Sequence, residues 1–594
     1  MKKRVILLMI LVTGLILSFC AAEGEGVFLR LDGVEGDASE GAHARWIEVI
    51  SFSMQTTRDS SITMTFRHPE DRGAARLAEE KGFWSGSGVL EVCVKAFGKD
   101  SALQRAELTN IQVVKTENVY DGGSMQDVTV RIEKVEWSFP SGAPDGRGGL
   151  QEVVLNLDGI GGDSVVEKHA GWIDVLSFTA GNDVNAQVTG GEMTFRHPVD
   201  SATPLLQAAC MNGTIIGNGT LDTVVVKNGA KIVASSGTYG RMKVMGTEVH
   251  MAQLANGKTA AVEEVTLLYN SEKWSVANAP DAPAPSGSGH YFLQLDSVKG
   301  GCGEERYNGY IDVLSFTKVW ETEPVLRYVR PGKGKLTFVH EVDSATPTLR
   351  EYGDSSTGIN AGKLYVVENI DGALTEKYKD MLDDLRVTGT KIYAEEDPRR
   401  RGIVRLLEEV TLEFGNDSWS SLVKADPRPD GSNIYMRLDG VEGESQDGKH
   451  ANWIDVEEFS TDDKTKTVDI IRRSDRATAG LLQYCRKAPW IGSGRIEVCG
   501  RVGGQKIVVA ALDMTDIRIY REAVTGEMTY GSEPVIKEEV GLVCEAMNLE
   551  TDPSKLNPPQ PVPPTGDDMP LVLYLLLLSA AAAVCGVMVK ARRY

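Results

Sequence analysis

Short runs of alternating apolar and polar residues dominate the chain. Phe28-Leu29-Arg30-Leu31 stops at Asp32-Gly33, a dipeptide that favours a tight turn. Residues 46–52, Trp-Ile-Glu-Val-Ile-Ser-Phe, are rich in aromatic and β-branched side chains and predict a strand. Residues 62–66, 89–94, 107–113 and 128–137 carry similar runs and predict four more. A helix interrupts them. Its signature is plainest in DSATPLLQAACMNG, where Thr203 is expected as N-cap, Pro204 as the first helical residue and Gly213 as the stop. DSATPTLREYG and SDRATAGLLQYC repeat that start further on, and EDRGAARLAEEKG is its weaker first version. The pattern predicts a mainly β chain of antiparallel barrels or sandwiches, each with one flanking helix.

The same pattern is written four times. LRLDGVEGDASEGAHARWIEVISFS at 29–53 returns as LNLDGIGGDSVVEKHAGWIDVLSFT, LQLDSVKGGCGEERYNGYIDVLSFT and MRLDGVEGESQDGKHANWIDVEEFS. Asp and aromatic residue stand fourteen apart in every copy: Asp32/Trp46, Asp158/Trp172, Asp296/Tyr310 and Asp439/Trp453. The Asp positions are 126, 138 and 143 residues apart, too long for a solenoid repeat and right for whole domains. Breaker-rich linkers set the expected domains at 27–139, 151–276, 291–422 and 433–549. Copies 1 and 4 share WxGSGxxEVC; copies 2 and 3 share VDSATP.

These residues carry a resemblance. LDGVEG, the His before the aromatic strand, and FRHPVDSATPLLQAAC together resemble the Hcp family, the tube protein of type VI secretion systems. The resemblance runs through all four copies and is closest in the second. It implies a compact β-barrel with one flanking helix and an ability to associate edge to edge. In the family six subunits form a ring and rings stack into a tube.

The two ends add a location. Lys2-Lys3-Arg4, an apolar run and small residues to Ala22 read as a secretory signal peptide over 1–22, cleaved after Ala22. Residues 550–568 form a Pro-rich extended spacer, 571–589 an uncharged apolar stretch long enough to span a bilayer, and 590–594 a basic cytoplasmic tail. Val562-Pro563-Pro564-Thr565-Gly566 before that span resembles a sortase cell-wall sorting signal, with Val562 where the best-known pattern has Leu. The resemblance implies cleavage between Thr565 and Gly566 and a cell wall of the Gram-positive type. A permanent membrane anchor on a Pro-rich stalk is the alternative. Either way the expected location is extracellular, at the cell surface.

Composition narrows the partners. A formal net charge of −21 argues against nucleic acid, which needs clustered Lys and Arg. Two of the eight Cys lie in the terminal apolar segments. Of the rest, Cys93/Cys499 and Cys210/Cys485 occupy equivalent places in different copies and read as buried thiols rather than disulfide partners. No CxxC is present. His43, His169 and His450 recur before the aromatic residue, and His68, His197 and His340 after the third strand. Tyr307 and Arg472/Arg473 replace them elsewhere, so packing or turn hydrogen bonding explains them better than a metal. Asp32, Glu35 and Asp37 read as a turn rather than a calcium loop. No GxSxG, HExxH or P-loop occurs, and no cofactor is expected. Trp84 and Trp490, beside Gly-Ser-Gly turns, are the candidate ligand contacts.

The leading expectation is a secreted, surface-anchored, non-enzymatic protein displaying four such modules for adhesion or envelope structure, with sortase, cell wall and membrane as partners. The alternatives are a self-assembling ring or tube protein, and a surface hydrolase or metal-dependent binder.

Overall fold

A computed structural model describes residues 25–557, apart from 40, 60, 80–84, 97–98, 141–150, 184–189, 228, 255–256, 258, 278–288, 326–332, 356, 371–372, 397–403, 423–432, 488, 503–504 and 528–534. The signal peptide with Ala22, Trp84, the sorting residues Thr565 and Gly566, the apolar stretch 571–589 and the basic tail lie outside the described residues. Among those described, no helix is long and apolar enough to cross a membrane.

The chain divides into two compact units. The first comprises Met1–Gly181, Val188–Asn278 and Tyr393–Arg405; the second comprises Asn182–Gln187, Ala279–Ile392 and Leu406–Tyr594. Apart from Asn182–Gln187 and Tyr393–Arg405, the first holds copies 1 and 2 and the second holds copies 3 and 4.

In the first unit, copy 1 runs β1 (Glu25–Leu31), β2 (Ile47–Val49), β3 (Ser51–Thr57), β4 (Ile62–Pro69), α1 (Arg72–Glu79), β5 (Ser85–Ala96), β6 (Lys99–Tyr120), β7 (Ser124–Ile132) and β8 (Lys134–Ser138). Copy 2 runs β9 (Gln151–Leu157), β10 (Ile173–Asp174), β11 (Ser177–Asp183), β12 (Gly191–Pro198), α2 (Thr203–Asn212), β13 (Ile215–Lys227), β14 (Ala230–Gln253), β15 (Thr259–Tyr269) and β16 (Ser271–Val276).

In the second unit, copy 3 runs β17 (Gly289–Leu295), β18 (Ile311–Glu321), β19 (Gly334–Glu341), α3 (Thr346–Ser355), β20 (Gly358–Ile370), β21 (Ala373–Glu396), β22 (Val404–Phe414) and β23 (Asn416–Ser421). Copy 4 runs β24 (Ile434–Leu438), β25 (Ile454–Val456), β26 (Glu458–Asp462), β27 (Thr467–Arg473), α4 (Ala477–Lys487), β28 (Ile491–Val502), β29 (Gln505–Glu527) and β30 (Val535–Glu550), followed by α5 (Pro553–Leu556).

Antiparallel pairing closes copy 1 into a barrel: β1 pairs with β5, β5 with β6, β6 with β7, β7 with β4, β4 with β3, and β2 returns to β1. Copies 2 and 4 close by the equivalent pairs. Copy 3 keeps β17–β18, β18–β19, β19–β22, β17–β20 and β20–β21. Alternation drives this closure, because residues of one parity on each strand face a single interior. In β4 the inward set Ile62, Met64, Phe66 and His68 is almost wholly buried.

The repeated LDG is a tight turn, with the Val34 amide donating to the Leu31 carbonyl and Gly33 at φ 80°, a conformation that favours glycine. The second glycine of the motif is fixed by contact. A Cβ at Gly36, Gly300 or Gly443 would stand 2.2–2.3 Å from the carbonyl oxygen of Trp46, Tyr310 or Trp453. Glu35 and Asp37, weighed as calcium ligands, face Arg45 at 3.1 Å and Arg72 at 2.6 Å instead.

Four expectations are corrected. Residues 46–52 are not one strand but β2 and the start of β3, separated at Ile50, whose amide turns to the Arg67 carbonyl. Residues 128–137 are not one strand but β7 and β8, separated at Glu133, whose amide turns to the Thr109 carbonyl. Thr203 is the first helical residue and not the cap. Asp200 takes the capping role, accepting from the Ala202 amide at 2.9 Å. Asp71, Asp343 and Asp475 receive the equivalent amides in the other copies. Finally, the spacer does not begin extended. Asp552 accepts from the Ser554 amide and starts α5, and Asn557 pairs with the Val508 backbone. A carboxylate cap followed by Pro is enough to start a helical turn.

Candidate functional site

Two polar clasps are built into each copy. The first joins the end of the third long strand to the helix. His197 Nε2 meets Glu263 Oε2 at 3.0 Å, and Nδ1 lies 3.4 Å from the capping Asp200. His340 stands likewise between Glu408 and Asp343, His68 between Gln126 and Asp71, and Arg472 between Glu538 and Asp475. All four side chains are buried. The two carboxylates outweigh burial and hold the His197 imidazole charged, its pKa raised to about 10.

The second clasp lies under the aromatic residue of the repeat. His43 Nε2 meets Glu91 at 2.8 Å, His169 meets Asp222 at 3.0 Å, His450 meets Glu497 at 2.9 Å, and in copy 3 the Tyr307 hydroxyl donates to Glu376 at 3.2 Å. Trp46, Trp172 and Trp453 pack edge-on against these rings and are half-buried. They roof the clasp rather than fill the barrel centre.

His43, Glu91 and Cys93 form a buried trio whose ligand-type atoms lie within 4.8 Å of one another. Both the carboxylate and the thiol, at 3.7 Å, approach the same ring nitrogen. A catalytic relay needs them on opposite nitrogens. Arg105 also takes the Glu91 carboxylate, and Phe28 stacks on the imidazole at 4.2 Å. This is the geometry of a buried polar contact enclosed by its neighbours rather than of a reactive site.

Within each unit the two copies are joined strand to strand. In the first unit β3 of copy 1 adds to β14 of copy 2, with Ser53 opposite His250 and Thr57 opposite Gly246. In the second unit β18 of copy 3 adds to β29 of copy 4, with Ser315 opposite Glu527 and Glu321 opposite Arg521. The two registers are equivalent. Thr56 faces Thr247 in one and Trp320 faces Glu522 in the other.

Side chains repeat as well. Gln104 on β6 donates to the Val199 and Ala261 carbonyls and accepts from the Ala261 amide, reaching into the loop before α2. Tyr378 on β21 donates to the Ser474 carbonyl, before α4, at 2.9 Å. The Cys210 thiol points at the Thr56 carbonyl and the Cys485 thiol at the Trp320 carbonyl, both at 3.7 Å. The described Cys are buried thiols outside any disulfide, and Cys210 and Cys485 seal the helix of one copy onto the edge strand of the copy before it.

The interiors behind the two junctions differ. In copy 1 Met54, Ala106 and Val135 are apolar and buried. In copy 3 the matching positions are Lys318, Asp380 and Asp417. The match follows from register, since Ala106 pairs with Trp137 and Asp380 with Trp419. Lys318 Nζ donates to Asp380 at 2.7 Å and Asp417 at 2.8 Å, with no exposed surface. Arg486 of α4 donates to the Asp417 carbonyl at 2.6 Å and its carboxylate at 3.0 Å. Burial pushes the Asp380 carboxyl up to about 6 despite Lys318, and pushes Glu522, beside Glu538, well above the usual range.

Sequence reasoning placed the histidines as structural but missed Gln104, Tyr378 and the whole ionic cluster. One signal was available: Lys318 stands at an inward parity of SFTKVWE. Trp490 is half-exposed with Arg518 stacked over its ring at 5.2 Å.

No curated protein matches the chain. Solved structures show partial likeness. Hcp1 from Salmonella typhimurium is 21% identical over 23% of this chain and 88% of that chain, with a TM-score of 0.20. A type VI secretion system effector from Yersinia pestis is 17% identical over 23% and 91%, with a TM-score of 0.18. Secreted protein Hcp3 from Pseudomonas aeruginosa is 14% identical over 23% and 90%, also at 0.18. The family assignment rests instead on the sequence match to "Type VI secretion system effector, Hcp" over residues 154–276, 292–420 and 435–549. With more than half of its length matched, the chain belongs to the Hcp family.

Proposed function

We propose that this protein is a structural element made of four Hcp-like modules, counting residues 27–139 as the first, that join edge to edge within one chain. The observation that carries this reading is the repeated strand addition, β3 to β14 and β18 to β29, in equivalent register. Backbone pairing of this kind has a free donor and a free acceptor edge, so the same contact can extend from chain to chain into a ring or tube. Light scattering with electron microscopy of the purified protein tests it. Rings or stacked particles support assembly, whereas monomeric four-bead rods mean the contact serves only to order modules along the chain.

A second reading concerns location. The leader ending at Ala22 and the run Val562–Gly566 before 571–589 favour a secreted array tethered at the cell surface, by sortase cleavage between Thr565 and Gly566 or by the apolar span itself. In that setting the array serves adhesion or envelope structure. Mature chain recovered from the cytosol on fractionation would sink this reading, and a Thr565→Ala variant that still reached the wall would sink its sortase form.

A further inference from the structure

We infer that the junction between copies 3 and 4 is a proton-held lock: β18 and β29 stay joined only while the carboxyl of Glu522, buried against the copy 3 ion cluster, keeps a proton. This goes beyond the proposed structural role and holds whether or not chains assemble.

The charges do not balance otherwise. In copy 3 Lys318 lies between Asp380 and Asp417, and Arg486 crosses from α4 to neutralise the surplus. In copy 4 Arg472 lies between Asp475 and Glu538, leaving one surplus carboxyl. Glu522 adds a second. It has no exposed surface, and no hydrogen-bond donor reaches either of its oxygens. Ionised carboxylates without a donor are not tolerated in a dry interior. A proton resolves this, and the neighbouring Glu538 carboxyl is the group that can share it. Burial and the charge of Glu538 hold Glu522 well above the ordinary carboxyl range, with Lys318 acting against them.

Opening the junction would release Glu522 and the Lys318 cluster to water, where the carboxyl ionises freely. Rising pH therefore favours opening. The first unit is the built-in control. There Thr247 occupies the position of Glu522, opposite Thr56, and Met54 that of Lys318, opposite Val249. Glu248 on the same strand accepts from Ser53, and Glu263, at the position of Glu538, is paired with His197.

The cysteines read out the test. In the full chain, Cys485 and Cys210 cover equivalent carbonyls at the two junctions, while Cys544 binds the Lys466 carbonyl inside copy 4. Labelling by N-ethylmaleimide, followed by mass spectrometry between pH 5 and 8, cancels intrinsic thiol chemistry in the Cys485-to-Cys210 ratio. That ratio should climb by up to about tenfold per pH unit, with Cys544 still protected. E522Q, an isostere of the protonated acid, should flatten the climb. So should K318M/D380A/D417V/E522T, which installs the residues of the first unit. A flat ratio in the natural chain, an undiminished climb in E522Q, or Cys544 labelling in step with Cys485 would each overturn the lock.

Discussion

The junctions of the two units share strands, register and sealing cysteines, yet one is backed by Met54, Ala106 and Val135 and the other by Lys318, Asp380 and Asp417. The backbone contact is thus indifferent to what lies behind it. Strand addition uses amides and carbonyls that every sequence supplies, so it cannot by itself choose which copy follows which. The buried side chains make the choice. An apolar interior accepts any apolar neighbour of the right volume. A buried ion cluster accepts only a neighbour that completes its charge, as Arg486 does for Asp417. The second junction is the more selective of the two, at the expense of depending on protonation.

The comparison breaks most sharply if a single partner is removed. Lys318→Met should destabilise the second unit by about 3–5 kcal/mol, because the buried Asp380 loses its cation and Asp417 is left with Arg486 alone. The reciprocal Met54→Lys should cost the first unit about as much, since no acid awaits it. Chemical denaturation followed by hydrogen exchange, read separately for the two units, checks both. Replacing the cluster together (Lys318→Met, Asp380→Ala, Asp417→Val) should instead be neutral or stabilising by about 1–4 kcal/mol. A large loss there would mean that the cluster contributes net stability rather than selectivity.

pH should separate the units next. Asp380 and Glu522 are raised in the folded state, so the second unit binds more protons folded than unfolded. It therefore loses stability as pH rises from about 4 through about 6 and beyond. His197 in the first unit is also raised. Its contribution is complete below about 6.5 and is lost as pH rises through about 10. His450 in the second unit is raised to about 10 as well. In stability profiles both units should therefore weaken towards pH 10, and only the second should also lose stability between about pH 4 and 6. Coincident profiles would refute the distinction.

The smallest contrast lies in the side chains crossing each junction. Tyr378→Phe removes one hydrogen bond and should cost about 0.5–1.5 kcal/mol. Gln104→Ala removes three hydrogen bonds, among them those to the Val199 carbonyl and the Ala261 amide, while the Ala261 carbonyl keeps the Val199 amide; it should cost about 1–3 kcal/mol. Exchange rates of the β14 and β29 amides would rank them.

Much of the fold was legible because it rests on local pattern. Alternation places Ile62, Met64 and Phe66 inside, and the LDG turn follows from what Gly33 permits. The equivalence of Cys210 with Cys485 was also visible, but not its meaning. Each thiol meets a carbonyl more than 150 residues away, and sequence spacing carries no information about such a contact. The histidines were recognised as structural, while their clasp with the capping Asp was not, because Glu263 and Glu408 reach them from a strand late in the copy.

The sequence by itself determined four copies of one β-rich unit, their inward faces and their turns, since these depend on neighbours within a few residues. Only the tertiary structure decided which edge each copy offers to the next. It alone showed that Lys318, Asp380, Asp417 and Glu522 share one buried volume. Side chains far apart in sequence become a single electrostatic system only when closure removes the water between them.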